Sequence, residues 1–184
     1  MSQEAYIELN HLAAHNGNSK GNYNLGVVYE YGRGVPVDDE AAFKQYFVVA
    51  SAGIPEAQHN LGVRYFPGKG TVLNKYEAVK WYMNAAAQGS ERSQHSLGLM
   101  LMQGDGVSHN LVSALSWFIM TFEHGHGASQ PFVDHLTGQL GEAAVQHARE
   151  LAATFKEKWQ AFFRSVRTPI NAVREQFNAA FVCS

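Results

Sequence analysis

One pattern recurs along this chain at a fixed interval of 36 residues. Leu25-Gly26, Leu61-Gly62 and Leu97-Gly98 share a phase, as do the glycine pairs Gly32/Gly34, Gly68/Gly70 and Gly104/Gly106. Ala42, Ala78 and Ala114 keep the same interval, and so do the closing glycines Gly53, Gly89 and Gly125. A strict period of this size marks stacked supersecondary units, each unable to bury its apolar face alone.

Each unit reads as two antiparallel helices. Ala57, Leu61 and Tyr65 are spaced by four, so they share one face of a helix A. Pro67-Gly68-Lys69-Gly70 breaks that helix, because proline cannot continue the ladder and glycine takes positive φ freely. Asn74 stands where an N-cap acceptor is expected, with Asp38 and Asn110 at the same phase. Ala78, Trp81, Tyr82, Ala85 and Ala86 then form the stripe of an amphipathic helix B, ended by Gly89.

Glycine inside helix A costs about 1 kcal/mol relative to alanine. A shared phase at Gly26, Gly62 and Gly98 therefore implies close packing on the aromatic shoulder of helix B, Trp81-Tyr82 and Trp117-Phe118. Copy one has Gln45-Tyr46 there, and a looser contact is expected.

The run Ala-x-x-x-Leu-Gly-x-x-Tyr, Gly-x-Gly, Ala-x-x-Trp-Tyr-x-x-Ala-Ala-x-x-Gly, from Ala57 to Gly89, resembles the Sel1-like repeat, a relative of the tetratricopeptide repeat. The resemblance covers residues 20 to 125 and implies an all-α fold, a right-handed α-solenoid of antiparallel helix pairs with extra C-terminal helices. Leu12-Ala13-Ala14 and Gly17 precede Val48-Val49-Ala50 and Gly53 by one period, so the chain opens on an unpaired helix B. One continuous domain is expected: a capping half repeat over 1–17, repeats at 18–53, 54–89 and 90–125, and C-terminal capping helices over 126–184. Arg64 departs from the family, standing where an aliphatic residue is usual; Leu101 replaces an aromatic, and Pro67 stiffens one loop.

After Gly125 the register fails. Gln130 to His135 suits a short last helix A, and Leu136-Thr137 with Ala144 and Ala148 loosely resembles the family's closing helix. From Glu142, the residues Leu151, Phe155, Trp159, Phe162, Phe163 and Val166 form a wide apolar stripe, and Thr168-Pro169 starts a last helix carrying Ile170, Val173, Phe177 and Phe181. Residues 151–184 carry five Lys/Arg against two Asp/Glu, whereas residues 1–150 carry nine against fourteen. Two readings stay open for the terminal stripe: it caps the last repeat, or it docks as an amphipathic helix on a partner or at a membrane periphery.

Composition bounds the rest. A hydrophobic share of 46% and a net charge of −2 argue against disorder, and no apolar run approaches the length of a membrane span. Met1-Ser2-Gln3-Glu4 has no basic or apolar export signal, so a cytoplasmic location is expected. Cys183 is the single cysteine, without the disulfide pairs of the cysteine-rich branch of the resembled family, and takes no role.

Residues with chemistry in them do not assemble into a catalytic motif. His124 and His126 flank a helix-ending glycine rather than offering the three or four ligands zinc takes, so neither metal nor cofactor is expected. His59 and His95 repeat in phase with Tyr23, which suits a ladder along neighbouring A helices. Ser93, Ser96, Ser113 and Ser116 lie inside helices, with no Gly-x-Ser-x-Gly elbow. The Gly-x-Gly pairs lack a preceding strand and a following Gly-Lys-Ser/Thr, which makes them turns. No basic face appears on the repeats, so nucleic acid is not an expected partner.

In helical-hairpin solenoids the A helices line the concave groove. The positions away from the Leu/Tyr stripe are Tyr23, Val27, Glu30, His59, Val63, Phe66, His95, Leu99 and Met102. That strip either holds a protein or peptide partner or is second-layer core. The resemblance implies a non-enzymatic interaction scaffold or adaptor. It also implies a runner-up, since some bacterial members are immunity proteins that neutralise a secreted effector such as a lipase; a hydrolase, proposed for cysteine-rich relatives, stands third.

Overall fold

The computed structural model describes residues 2–164, and for residues 156 and 158–164 the backbone alone. The expected last helix (Ile170, Val173, Phe177, Phe181), Val166, Cys183, and the side chains of Trp159, Phe162 and Phe163 lie outside the described residues. Among those described there are nine α-helices and no strand: α1 (Gln3–His15), α2 (Ser19–Tyr31), α3 (Asp39–Ser51), α4 (Pro55–Tyr65), α5 (Lys75–Ala86), α6 (Glu91–Gln103), α7 (Leu111–Glu123), α8 (Gln130–Gln139) and α9 (Glu142–Arg164). The chain falls into two compact units, divided inside α5 after Trp81.

The repeated polar and glycine positions have one local cause. Asp38, Asn74 and Asn110 accept from the backbone N–H of Ala41, Glu77 and Ser113 at 2.8, 3.0 and 2.9 Å, capping α3, α5 and α7. Their own N–H groups donate back to the carbonyls of Tyr29, Tyr65 and Leu101, the last turn of each preceding A helix. The chain can reverse that sharply because both glycines of each loop have positive φ, and so do the glycines that close each B helix. Gly70 shows a second constraint: a Cβ there would overlap the Asp39 carbonyl.

In the first unit, α1 packs on α2, α2 on α3 and α3 on α4, each running back along its predecessor. Ala42, Tyr46, Val49, Ala50, Ala57 and Leu61 form the centre of its core. Gly26 is the reason α2 and α3 lie so close, since a Cβ on it would stand 2.7 Å from the Tyr46 ring. The expectation of a looser contact in copy one is therefore corrected. In copy three a Cβ on Gly98 would meet the Phe118 ring at the same 2.7 Å. The second residue of each shoulder, Tyr46 or Phe118, faces the glycine, so Gln45 in place of a tryptophan loosens nothing there.

In the second unit, α6 packs on α7, and α7 also carries α8 and α9. Phe132 of α8 stacks on Phe118 with ring centroids 4.7 Å apart. Ala148, Ala152 and Phe155 of α9 are buried, and the Phe155 ring meets Trp117 edge to face at 4.7 Å. The described part of α9 thus spends its apolar face on α7.

Candidate protein-interaction face

Packed on α1 and α3, α2 has little open surface. On α2, Gly21, Leu25, Gly26 and Val28 are buried, while Lys20 and Tyr31 are exposed and Asn24 and Val27 half-buried between them. On α4 the same phase gives exposed Glu56 and Val63 around half-buried Asn60. The open stripe of α2 therefore runs through positions 20, 24, 27 and 31, a spacing of 4-3-4 that keeps to one helical face, and that of α4 through 56, 60 and 63. Cross-links set the two helices side by side, with Asn60 Nδ2 donating to the Tyr23 hydroxyl at 3.4 Å and Arg64 reaching Glu30.

The nine positions expected on the groove divide against this stripe. Val63 is exposed at 42%, and Val27 is half-buried, its inner side packed on the core. Tyr23 is half-buried, its ring edge-on to Tyr46 at 5.6 Å. Phe66 is half-buried beneath the Lys75 ammonium at 5.1 Å. His59 is buried at 5% exposure, which corrects its placement on an open groove. Glu30 is likewise committed inward: its Oε2 accepts from the Tyr46 hydroxyl at 2.7 Å and lies 3.4 Å from Arg64 Nη2. In the second unit His95, Leu99 and Met102 are all half-buried. The expected strip and the open stripe share Val27 and Val63 and differ at the flanking positions. Residues 23 and 30 of the expected strip face helix B, whereas 20 and 31, which it missed, face out.

Arg64, the departure from the family pattern, explains why Glu30 points inward. Its side chain is 2% exposed, with Nη1 3.2 Å from Asp39 Oδ1 and the guanidinium carbon 5.3 Å above the Tyr46 ring. Lys69 adds a second cation 3.3 Å from Asp39. Burial, then the bond to Glu30, raises the Tyr46 hydroxyl well above the usual tyrosine range. Tyr46 therefore serves as a fixed donor to the carboxylate.

His95 has a comparable inward role in the second unit. Its Nδ1 lies 2.8 Å from Ser129 Oγ, which is fully buried and 2.7 Å from Thr121 Oγ1. The rings of Phe118, Phe132 and His126 surround the imidazole. Burial first, and the neighbouring His126 second, lower its pKa below 6.5. Ser129 thus has a histidine partner and is itself fully buried. Among the described residues no group of three or more His, Cys, Asp or Glu side chains converges as a metal site would.

One concavity opens on the exposed stripe of the first unit. It holds about 310 Å³ and is lined by Ser19, Lys20 and Tyr23 of α2, Val49 of α3, and Ile54 and Glu56 at the start of α4. Ile54 precedes the N1 proline of α4, and its apolar side chain, 37% exposed, lines the opening.

Comparison with known proteins agrees with the period. The family model described as Sel1 repeat matches residues 19–44, 55–90 and 92–126. A protective antigen present in uropathogenic Escherichia coli strains, displaying an SLR fold, is 35% identical with a TM-score of 0.71, over 80% of this chain and 33% of that one. A Sel1 repeat protein from Oxalobacter formigenes is 29% identical with a TM-score of 0.69, over 79% of this chain and 63% of that one. The chain thus spans about a third and somewhat under two thirds of these two relatives. No curated protein matches it. No helix among the described residues is long and apolar enough to cross a membrane.

Proposed function

Because this chain belongs to the Sel1 repeat family, we propose that it is a non-enzymatic scaffold that binds a protein or peptide partner through the open stripe of its A helices. Sel1 repeats in general mediate protein–protein interaction. The observation that carries the reading is the composition of the stripe in the first unit. Tyr31 at 63% and Val63 at 42% exposure present apolar surface on neighbouring A helices, with Lys20 and Glu56 at their N-terminal ends. Apolar and aromatic surface beside charged positions is where interfaces concentrate binding energy. Glu30, Tyr46 and Ser129 are each bonded to structural partners and turned away from that surface, which supports a binding role over a hydrolytic one.

Affinity capture with the intact chain tests this. Tyr31→Ser and Val63→Asp together should abolish recovery of the partner, while Lys44→Glu, on the exposed side of α3, should leave it unchanged. Recovery that survives the first change and fails with the second would reject the A-helix face. Thermal midpoints of both variants establish that folding is retained.

A further inference from the structure

The concavity on the first unit has no counterpart in the other copies' sequences. The positions of Tyr23, Val49 and Ile54 are occupied one period later by His59, Ala85 and Ser90, and two periods later by His95, Thr121 and His126. In the third copy His95 and Thr121 each bond the Ser129 hydroxyl, and the His126 ring packs on that of His95. In the first copy all three positions are apolar or aromatic, and the result is an opening of about 310 Å³ walled by Tyr23 and floored by buried Val49. The wall is fixed in advance, because the Tyr23 ring rests on Tyr46 and its hydroxyl receives Asn60 Nδ2. A preformed apolar hole of this size takes one large side chain at little ordering cost.

The margin adds direction. Lys20 on α2 and Glu56 on α4 are both exposed, line the opening from two different helices, and form no ion pair among the described residues. We propose that this concavity is an anchor subsite for a linear peptide segment of a partner protein, taking one aromatic or branched aliphatic side chain flanked by an acidic residue over Lys20 and a basic residue over Glu56. The proposal rests on the interaction reading above and deepens it by naming what the partner presents. Apolar burial supplies the affinity, and the opposed charges set the direction in which the segment lies.

The test uses the intact chain and blocked pentapeptides with a central tryptophan, two aspartates on one side and two lysines on the other, made in both chain orders, with glycine-centred and serine-flanked controls. Titration followed by NMR or calorimetry should show saturable binding of one tryptophan peptide, about tenfold or more above its glycine control. Ile54→Trp and, independently, Ser19→Trp should fill the opening and remove that binding. The double exchange Lys20→Glu with Glu56→Lys should transfer the preference to the peptide of opposite order. Equal affinity for tryptophan- and glycine-centred peptides, or binding indifferent to the two filling variants, would overturn the subsite. So would an unchanged order preference in the charge exchange. If the peptides fail while Tyr31→Ser with Val63→Asp still releases the partner, the subsite is wrong and the scaffold reading stands; if both fail, both are wrong.

Discussion

The guanidinium of Arg64 stands 3.4 Å from the carboxylate of Glu30, on a neighbouring A helix, with the arginine side chain 2% exposed and the glutamate 20%. Burying that cation is costly, and the Coulombic return is largest where both partners are dry. Here the acidic side remains in partial contact with water, so the pair is one whose removal and whose replacement should differ. Arg64→Ala should lower stability by about 2–4 kcal/mol, because it opens a cavity and leaves the Glu30 carboxylate without its cation. Arg64→Leu combined with Glu30→Gln should recover most of that loss. Denaturant midpoints of the two variants check this, and equal losses would show that the ion pair itself is the stabilising element.

Gly26 should tolerate no β-carbon of any size. Gly26→Val drives a branched side chain into the Tyr46 ring, at an expected cost of about 1–3 kcal/mol. Gly98→Val should behave alike against Phe118, whereas Gly138→Val meets no atom within 4 Å and should shift the thermal midpoint far less. Comparable small shifts in all three would remove close approach as the reason for the helix A glycines.

Most of the fold was legible because it is written in local backbone demands. A loop needing positive φ at two places, an N-cap three residues before the next turn, and a small residue where two helices meet each leave a mark that a 36-residue period makes visible. The N-caps Asp38, Asn74 and Asn110 are where their phase placed them. The outward face of helix A was less legible. α2 is covered by both α1 and α3, so apolar residues occur on most of its circumference, and Tyr23 beside Asn24 gives no sign of which one faces solvent. The destination of Arg64 was illegible for a different reason. Its partners Glu30 and Asp39 lie one repeat earlier, where nothing local distinguishes them from other surface acids.

Acid should weaken the second unit through His95. Above about pH 6.5 the imidazole is neutral in the folded and the unfolded chain and contributes no pH dependence. As pH falls below that value the unfolded chain takes the proton first, since burial and His126 hold the folded pKa lower. Stability is therefore lost progressively, until the folded pKa is passed. His95→Gln keeps a polar partner for Ser129 and should flatten the fall of thermal midpoint between about pH 7 and pH 5. Parallel curves for the variant and the parent would show that His95 does not carry this linkage.

Phe155 should matter to the packing of α9. Phe155→Ala removes the edge-to-face partner of Trp117 and should cost about 2–4 kcal/mol. Truncation after Gly141 should go further, exposing the α7 surface that Ala148, Ala152 and Phe155 cover, and should raise binding of a hydrophobic dye and promote aggregation. A truncated chain that stays monomeric and binds no dye would leave α9 available for a partner instead.

Site-specific photo-cross-linking tests the interaction face most directly. A benzophenone amino acid placed at position 31 or 63, on the open stripe of α2 and α4, is expected to attach covalently to the partner recovered by affinity capture, and the same group at position 44 on α3 is not. Attachment from position 44 with none from 31 or 63 would contradict the assignment of that face.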